Sequence, residues 1–210
     1  MNRPADKMTA VILCGGRSRR MGEDKAELML DGRTILQRLT ENLAPLGDVR
    51  LSVREAGDYP DVPLPKVADR FQNCGPMGGL EAALSADSSE LLFVTAVDMP
   101  FADHVLAEEL RAMMEKEPDT DALLMMDGTG RQQFLLGIYR RRVQPVLRSH
   151  LIDGSRDALR MRSLLLELRV RFVPAEAVTD GERKTRSFNT GEEFRAFLEN
   201  AGAGAQPEAQ

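Results

Sequence analysis

Apolar residues in this chain form short runs that alternate with longer segments of mixed polarity. Seven apolar runs predict strands, at 9–14, 49–53, 64–68, 91–97, 122–126, 134–139 and 169–173. Several runs are continuously apolar, as expected of strands buried on both faces. The segments between them predict helices at 34–46, 77–86, 103–116, 142–151, 156–168 and 190–200. This alternation predicts an α/β fold with a mostly parallel sheet and helices on both of its faces.

The length of 210 residues fits one large α/β domain, which we predict to span 8–201. Segments 1–7 and 202–210 are small and polar without periodicity, and we predict that both are disordered. The chain has no apolar stretch of membrane-spanning length and no apolar core of a signal peptide at its N-terminus. Its two cysteines, Cys14 and Cys74, form no CxxC motif, so we expect free thiols in a reducing cytoplasm.

Composition argues against a nucleic-acid-binding protein. The formal net charge is -5, aromatic residues make up 5% and there is no tryptophan. Wrapping a polyanion needs a basic surface, and stacking on bases needs aromatic side chains. Any anion that this chain binds should therefore be small and recognised locally.

One locally basic loop stands out in this acidic chain. It follows the first apolar run, opens with Gly15 and Gly16, and carries Arg17, Arg19, Arg20 and Lys25. Glycine amides can form a concave anion site, and arginine and lysine side chains suit phosphate oxygens. The loop has neither the GxxxxGK[ST] pattern of a P-loop nor GxGxxG. It is either a phosphate-binding loop or a solvated basic surface loop.

Two acids follow predicted strands, where ligands of parallel sheets bind. Asp98 ends the run LLFVTAVD and is a candidate Mg²⁺ ligand, or else a capping residue of the next turn or helix. Asp69 follows another strand, and its alternative is a surface acid paired with Arg70. Between them, the glycines of GPMGG (75–79) open a helix whose N-terminus suits an anion, or they form an ordinary tight turn.

Other polar residues offer weaker candidates for chemistry. His104 and His150 lie in no metal-spaced cluster and are interpreted as surface residues. No Ser-His-Asp or Cys-His constellation is visible in the chain. Thr190 and Glu193 have the spacing of a capping box, which is a sufficient structural reason for them.

Four sequence elements together resemble one family. LCGGRSRRMGEDKAEL resembles the LxGGxSxRMGxDK signature of nucleotidylyltransferases that act on the molybdenum cofactor, and the molybdenum cofactor guanylyltransferases most closely. GPMGGL, VDMP and SFNTGEEF are similar to that family's GPxxG, (C/V)DxP and NxNTPEE elements, in the same order. Ser187 and Gly191 stand where the last element usually has Asn and Pro.

The resemblance implies a Rossmann-like three-layer nucleotidyltransferase fold with one short antiparallel strand. It also implies Mg²⁺ and GTP, molybdopterin as acceptor, and transient contacts with the enzymes that receive the cofactor. Lys25 and Asp98, with Arg20, would then act on the phosphates, Asp98 would hold the metal and Asn189 would lie near the acceptor. The residues predicted to bind nucleotide, which include the glycines of both loops, are Leu13, Cys14, Gly15, Gly16, Lys25, Ser52, Asp69, Gly75, Gly79 and Asp98.

The predicted reaction is transfer of GMP from GTP to the terminal phosphate of molybdopterin. Its products would be molybdopterin guanine dinucleotide and pyrophosphate. Alternatives are a related enzyme that transfers CMP to the same cofactor or a nucleotide to a sugar phosphate, a P-loop GTPase or kinase, and a non-catalytic GTP-binding regulator. The absence of GK[ST] argues against the P-loop class.

Overall fold

The computed structural model describes residues 8–14 and 24–202, and all elements below belong to these residues. The strands are β1 Met8–Leu13, β2 Met29–Leu30, β3 Arg33–Thr34, β4 Val49–Val53, β5 Lys66–Ala68, β6 Leu91–Ala96, β7 Ala122–Met126, β8 Gln132–Arg140 and β9 Val170–Pro174. The α-helices are α1 Ile35–Leu43, α2 Pro76–Ala86, α3 His104–Glu115, α4 Gln144–Asp153, α5 Met161–Leu166, α6 Gly181–Lys184 and α7 Gly191–Gly202. Short 3₁₀ helices form at Lys25–Glu27, Ala44–Leu46, Arg141–Val143 and Ala175–Ala177.

A seven-stranded sheet in the order β5-β4-β1-β6-β8-β7-β9 forms the centre of the described structure. β8 runs antiparallel to both of its neighbours, and the other pairings are parallel. The predicted α/β fold with one antiparallel strand in a mostly parallel sheet is confirmed, but that strand is not short, since its nine residues make it the longest of the sheet. Chain crossovers diverge between β1 and β6, so the carboxyl ends of these two strands lie at the topological switch point where open α/β sheets bind ligands.

Both faces of the sheet are covered by helices. Ala10 and Ile12 of β1 pack with residues of α1, α3 and α7. Val11 and Leu13 of the same strand pack with residues of α2, α4 and α5. Side chains alternate between the faces of a strand, so a continuously apolar run is what a strand covered on both sides requires.

Two local predictions differ from the structure. The helix predicted at 156–168 is wrong in its first part, because α5 spans only Met161–Leu166. The preceding turn is held instead by His150, which is half-buried and contacts the Ala158 carbonyl oxygen at 2.9 Å. The small hairpin β2–β3 was not predicted, although its turn, Asp31–Gly32, has positive φ at both residues and is the Asp-Gly pair typical of tight hairpins.

Most of the predicted tails lie outside the described residues, as do 15–23. α7 extends to Gly202, one residue into the predicted C-terminal tail. The boundaries of the single domain therefore stay a prediction. Within the described ranges, no helix is both long and apolar enough to cross a membrane.

A buried acid at the amino end of β7 makes folding depend on pH. Asp121 accepts hydrogen bonds from Arg142 Nε at 2.6 Å and from the Arg169 backbone N–H at 2.9 Å. Burial alone would raise its pKa, but the hydrogen bonds from Arg169 and Arg142 lower that pKa to about 2. Because the folded-state pKa lies below the unfolded value, this contribution is present above pH ~4 and is lost as pH falls towards ~2.

We therefore expect Asp121→Asn to lower the free energy of unfolding at pH 7 by about 1–2 kcal/mol. The difference from wild type should shrink as the pH approaches 2. Urea unfolding at pH 7, 4 and 2.5 measures it. A difference that stays constant across these pH values would contradict the assigned role.

Candidate active site

Lys25 and Asp98 meet at the carboxyl edge of the sheet. Asp98 follows β6, and Lys25 begins the 3₁₀ helix Lys25–Glu27. Lys25 Nζ lies 3.1 Å from Asp98 Oδ2, and the side chains are 14% and 22% exposed. The low exposure leaves both groups weakly hydrated, so the charges interact more strongly than a surface pair. Lys25 and Asp98, which the resemblance assigns to the same phosphates, therefore lie side by side.

A third segment, around Phe188, completes this contact. Lys25 Nζ also donates a hydrogen bond to the Phe188 carbonyl oxygen at 2.7 Å and lies 5.3 Å from the centre of the Phe188 ring. The Phe188 backbone N–H in turn donates to the Asp98 carbonyl oxygen at 3.3 Å. The ring packs against Phe194 and Phe197 of α7. This packing holds the segment that carries Asn189 beside the Lys25–Asp98 pair.

Four predicted nucleotide-binding residues cluster around the first turn of α2. A methyl group placed on Gly79 would lie 2.6 Å from Ser52 Oγ, 3.3 Å from Leu13 Cδ2 and 3.5 Å from Asp69 Oδ1. These residues come from the ends of β1, β4 and β5, which are neighbours in the sheet. Gly79 therefore leaves open a space that any other residue would fill.

Buried polar atoms without a partner concentrate at the same edge. In the part of the chain that the structure describes, five buried side-chain atoms lack a hydrogen bond, and three of them are Ser52 Oγ, Asp69 Oδ1 and Asp98 Oδ1. Buried polar atoms are nearly always paired in folded proteins, because leaving one unpaired costs about 1–3 kcal/mol. Three such atoms at the carboxyl ends of β4, β5 and β6, on one edge of the sheet, indicate a binding site for a polar ligand.

Asp69 is not the surface acid paired with Arg70 that the sequence left open. Arg70 pairs with Glu81, which is fully buried on α2. Burial raises the pKa of Asp69 to about 6, against a smaller opposing effect of the nearby Arg54. A carboxylate whose pKa is raised in a cleft is typical of functional sites.

The remaining predicted residues fall in two groups. Gly75 precedes α2 with φ +59, a conformation that favours glycine, and lies at the helix N-terminus as predicted. Cys14 directly follows β1, and its backbone N–H donates to the Ser52 carbonyl oxygen at 3.0 Å. Gly15, Gly16 and Arg20 lie outside the described residues.

The alternative role of Asp98 as the cap of the following helix is wrong. Asp103 caps α3 instead, by accepting a hydrogen bond from the Leu106 N–H at 2.8 Å. Both cysteines are free, and burial raises the pKa of each thiol. His104, interpreted as a surface residue, is half-buried against the Asn42 carbonyl oxygen. Thr190 Oγ1 accepts from the Glu193 N–H at 3.1 Å, as the capping spacing predicted.

A family model described as "MobA-like NTP transferase domain" matches residues 10–170. The chain belongs to this family. The MobA-like match covers β1 to the start of β9, and so includes every described strand end that contributes to the site.

Proteins similar to this MobA-like chain carry consistent names. A probable molybdenum cofactor guanylyltransferase of Carboxydothermus hydrogenoformans is 37% identical over 145 residues, which are 69% of this chain and 72% of the relative. One from Methanosarcina mazei is 30% identical over 208 residues, which cover 92% of this chain and 91% of the relative. Among solved structures, molybdopterin-guanine dinucleotide biosynthesis protein A of Archaeoglobus fulgidus has a TM-score of 0.80 at 23% identity. The match covers 93% of this chain and 99% of that structure's chain. At that identity the structural likeness shows the fold alone.

One contact in this MobA-like site was missed by sequence reasoning. The Tyr59 hydroxyl donates a hydrogen bond to Asp24 Oδ2 at 2.7 Å, and Asp24 Oδ1 accepts from the Ala26 N–H at 3.0 Å. Asp24 thereby caps the 3₁₀ helix that begins at Lys25. Burial and the hydrogen bond to Asp24 raise the pKa of Tyr59 well above its usual range. The link anchors the base of Lys25 to the loop between β4 and β5.

We expect Tyr59→Phe to lower turnover several-fold, because Lys25 loses a support for its position, while the fold is retained. The sequence has two tyrosines, and Tyr139 is a matched control whose hydroxyl donates to the Phe134 carbonyl oxygen on β8. Steady-state kinetics of both Phe variants measures the effect. A Tyr59→Phe variant no slower than Tyr139→Phe would contradict it.

Asp69→Asn should stabilise the folded chain and weaken nucleotide binding. The folded-state pKa of Asp69 lies above its ordinary value, so ionising it costs stability as pH rises from ~4 through ~6. Removing the charge should gain about 1 kcal/mol or less at pH 7.5, because the side chain is partly exposed and water screens the penalty. Thermal midpoints and GTP titration, with the exposed Asp61→Asn as control, measure both effects. A lower midpoint would contradict the prediction.

Proposed function

We propose that this chain transfers GMP from GTP to the terminal phosphate of molybdopterin, forming molybdopterin guanine dinucleotide and pyrophosphate. The observation that carries the proposal is the Lys25–Asp98 pair at the switch point of the sheet, with Asp98 Oδ1 buried and unpaired among the described residues. The names of the relatives support a guanylyl donor and a molybdenum cofactor acceptor.

The nucleoside of GTP would occupy the space beside Gly79. Leu13 offers an apolar wall there, and Ser52 and Asp69 offer unpaired polar atoms. A carboxylate and a hydroxyl can accept the N–H groups of a guanine base or the hydroxyls of ribose. The α2 N-terminus, opened by Gly75, adds backbone N–H groups near the phosphates.

Asp98 is suited to hold Mg²⁺. Mg²⁺ often takes one or two protein carboxylates and completes its coordination with water and substrate phosphates. Within the described residues no group of three or more His, Cys, Asp or Glu side chains could hold a metal, so a metal held by Asp98 would take further ligands from water and the substrate phosphates. A bound Mg²⁺ would neutralise phosphate charge and polarise the reacting phosphoryl group.

Transfer would proceed by in-line attack of an acceptor phosphate oxygen on the α-phosphorus of GTP. One P–O bond forms to the acceptor, and the bond to the β-phosphate oxygen breaks with departure of pyrophosphate. The nucleophile is already anionic, so no general base has to remove a proton. Lys25, which donates to Asp98 and Phe188 in this structure, has three N–H donors and can turn them towards the departing phosphates.

Pyrophosphate release with each of the four nucleotides tests the proposal, with and without molybdopterin and Mg²⁺. We expect release that needs GTP, molybdopterin and Mg²⁺ together. Preference for CTP would instead assign the chain to the cytidylyl alternative. GTP binding without acceptor-dependent release would assign it to the regulatory class.

A further inference from the structure

A cleft of about 420 Å³ lies beyond the carboxyl end of β7. One wall is the turn 127–131 between β7 and β8, and the other comes from α6, residues 185–187 and the start of α7. Ser187 lines the cleft and directly precedes Phe188, whose carbonyl oxygen accepts the hydrogen bond from Lys25. The cleft and the proposed reaction centre therefore use consecutive residues of the same segment.

Two of the five charged residues that line this cleft are used to hold its walls. The Asp127 carboxylate accepts hydrogen bonds from the backbone N–H groups of Thr129 and Arg131, both at 3.0 Å, and from Gln133 Nε2 at 2.9 Å. The Glu193 carboxylate accepts from the Asn189 N–H at 2.5 Å. These contacts fix both carboxylates in the walls of the cleft.

The other three charged side chains have no such structural use. Within residues 8–14 and 24–202, the side chains of Glu182 and Arg131 make no hydrogen bond or ion pair, and the Arg186 guanidinium lies 4.6 Å from the centre of the Phe197 ring. The Glu182 carboxylate is directed towards the turn, since a methyl group placed on Gly128 would collide with it. These three groups present one negative and two positive charges to the cleft.

We propose that this cleft binds the ring system of the acceptor, with Glu182 accepting hydrogen bonds from its amino-oxopyrimidine edge and Arg186 stacking on its face. The inference rests on the proposed function, which makes the acceptor a pterin. The 2-amino-4-oxopyrimidine ring of a pterin has two adjacent N–H donors, which a carboxylate can accept in a bidentate pair. A planar guanidinium already stacked on Phe197 is preorganised to stack on a second ring.

The dimensions of the edge fit this placement. β7 lies two strands from β6, which is about 10 Å across the sheet. An acceptor whose terminal phosphate lies at Lys25 and Asp98 could therefore place its ring in the cleft. The volume also lies within the range of about 300–1,000 Å³ usual for small-molecule sites. Arg131 and Arg186 would offset the negative charge of the acceptor.

Glu182→Gln tests the assignment, with the exposed Glu176→Gln as matched control because Glu176 does not line the cleft. A hydrogen bond to a charged group that binds only the acceptor should, when lost, raise the KM for molybdopterin about tenfold or more. The KM for GTP and the thermal midpoint should stay at wild-type values. Arg186→Lys, which keeps the charge but loses the planar group, should also raise the KM for molybdopterin.

Direct binding separates this inference from the proposed function. Anaerobic equilibrium dialysis of molybdopterin with the full chain measures acceptor affinity without turnover. If wild type transfers GMP to molybdopterin but Glu182→Gln and Glu176→Gln bind it equally well, the cleft assignment is overturned and the proposed function stands. Equal loss of GTP and molybdopterin affinity in Glu182→Gln would also overturn it. If wild type neither binds nor uses molybdopterin, the proposed function itself fails.

Discussion

Asp98→Asn should lower acceptor-dependent pyrophosphate release by about a hundredfold or more, the size of effect seen when one charge-stabilising group is removed from an active site. Asn has nearly the same shape but lacks the negative charge that pairs with Lys25 and would hold Mg²⁺. The Mg²⁺ concentration required for half-maximal rate should rise together with the loss of turnover. Pyrophosphate release across a Mg²⁺ titration measures both quantities.

Asp157→Asn is the control for this substitution. Asp157 is an exposed acid paired with Arg160 far along the chain from the site, and its side chain is 82% exposed. We expect it to keep wild-type turnover and Mg²⁺ dependence. If Asp98→Asn behaved like this control, the metal-holding role of Asp98 would be wrong, and the proposed mechanism would lose its central group.

Lys25→Ala should have the second large effect, lowering turnover about a hundred- to a thousandfold. The alanine side chain could neither contact the phosphates nor replace the hydrogen bonds of Lys25 to Asp98 and to the Phe188 carbonyl oxygen. Removing it leaves Asp98 without its cation, so the free energy of unfolding should fall as well, by about 1–2 kcal/mol. Expressed as a free energy, the loss of turnover should exceed the loss of stability. Steady-state kinetics measures the first quantity and urea unfolding the second.

Lys25→Arg separates catalysis from stability at this position. Arginine keeps the positive charge, so the ion pair with Asp98 and the stability should largely return. Its planar guanidinium cannot replace a compact ammonium group that has to move between Asp98 and phosphates, so turnover should stay low. The exposed Lys116→Ala serves as the surface control. Full recovery of turnover in Lys25→Arg would show that charge alone suffices.

The partners of the predicted acids were less predictable than the acids themselves. Asp98 and Asp69 each follow an apolar run, and parallel strands end at one edge, so their neighbourhood could be anticipated. Which cation Asp69 faces could not. Arg70 is adjacent to Asp69 in sequence but pairs with Glu81 of α2, while Asp69 keeps an unpaired oxygen.

The wrong helix prediction has a similar cause. Residues 156–168 contain the leucine and methionine spacing of a helix, yet α5 begins only at Met161. The Ala158 carbonyl oxygen is taken by His150 of α4, and the Ala158 N–H by Ser155 Oγ. A tertiary contact and a turn therefore outweigh helix propensity, which is worth only tenths of a kcal/mol per residue.

The sequence by itself determined the order of strands and helices, the two-sided burial of the sheet and the glycines and acids at the strand ends. Those features are local, because side-chain periodicity and turn chemistry act over a few residues. Only the tertiary structure decided that Tyr59 supports Asp24 and that the Phe188 carbonyl oxygen shares Lys25 with Asp98. These contacts join residues 35, 163 and 73 positions apart, and their geometry depends on how packed helices bring distant backbone together.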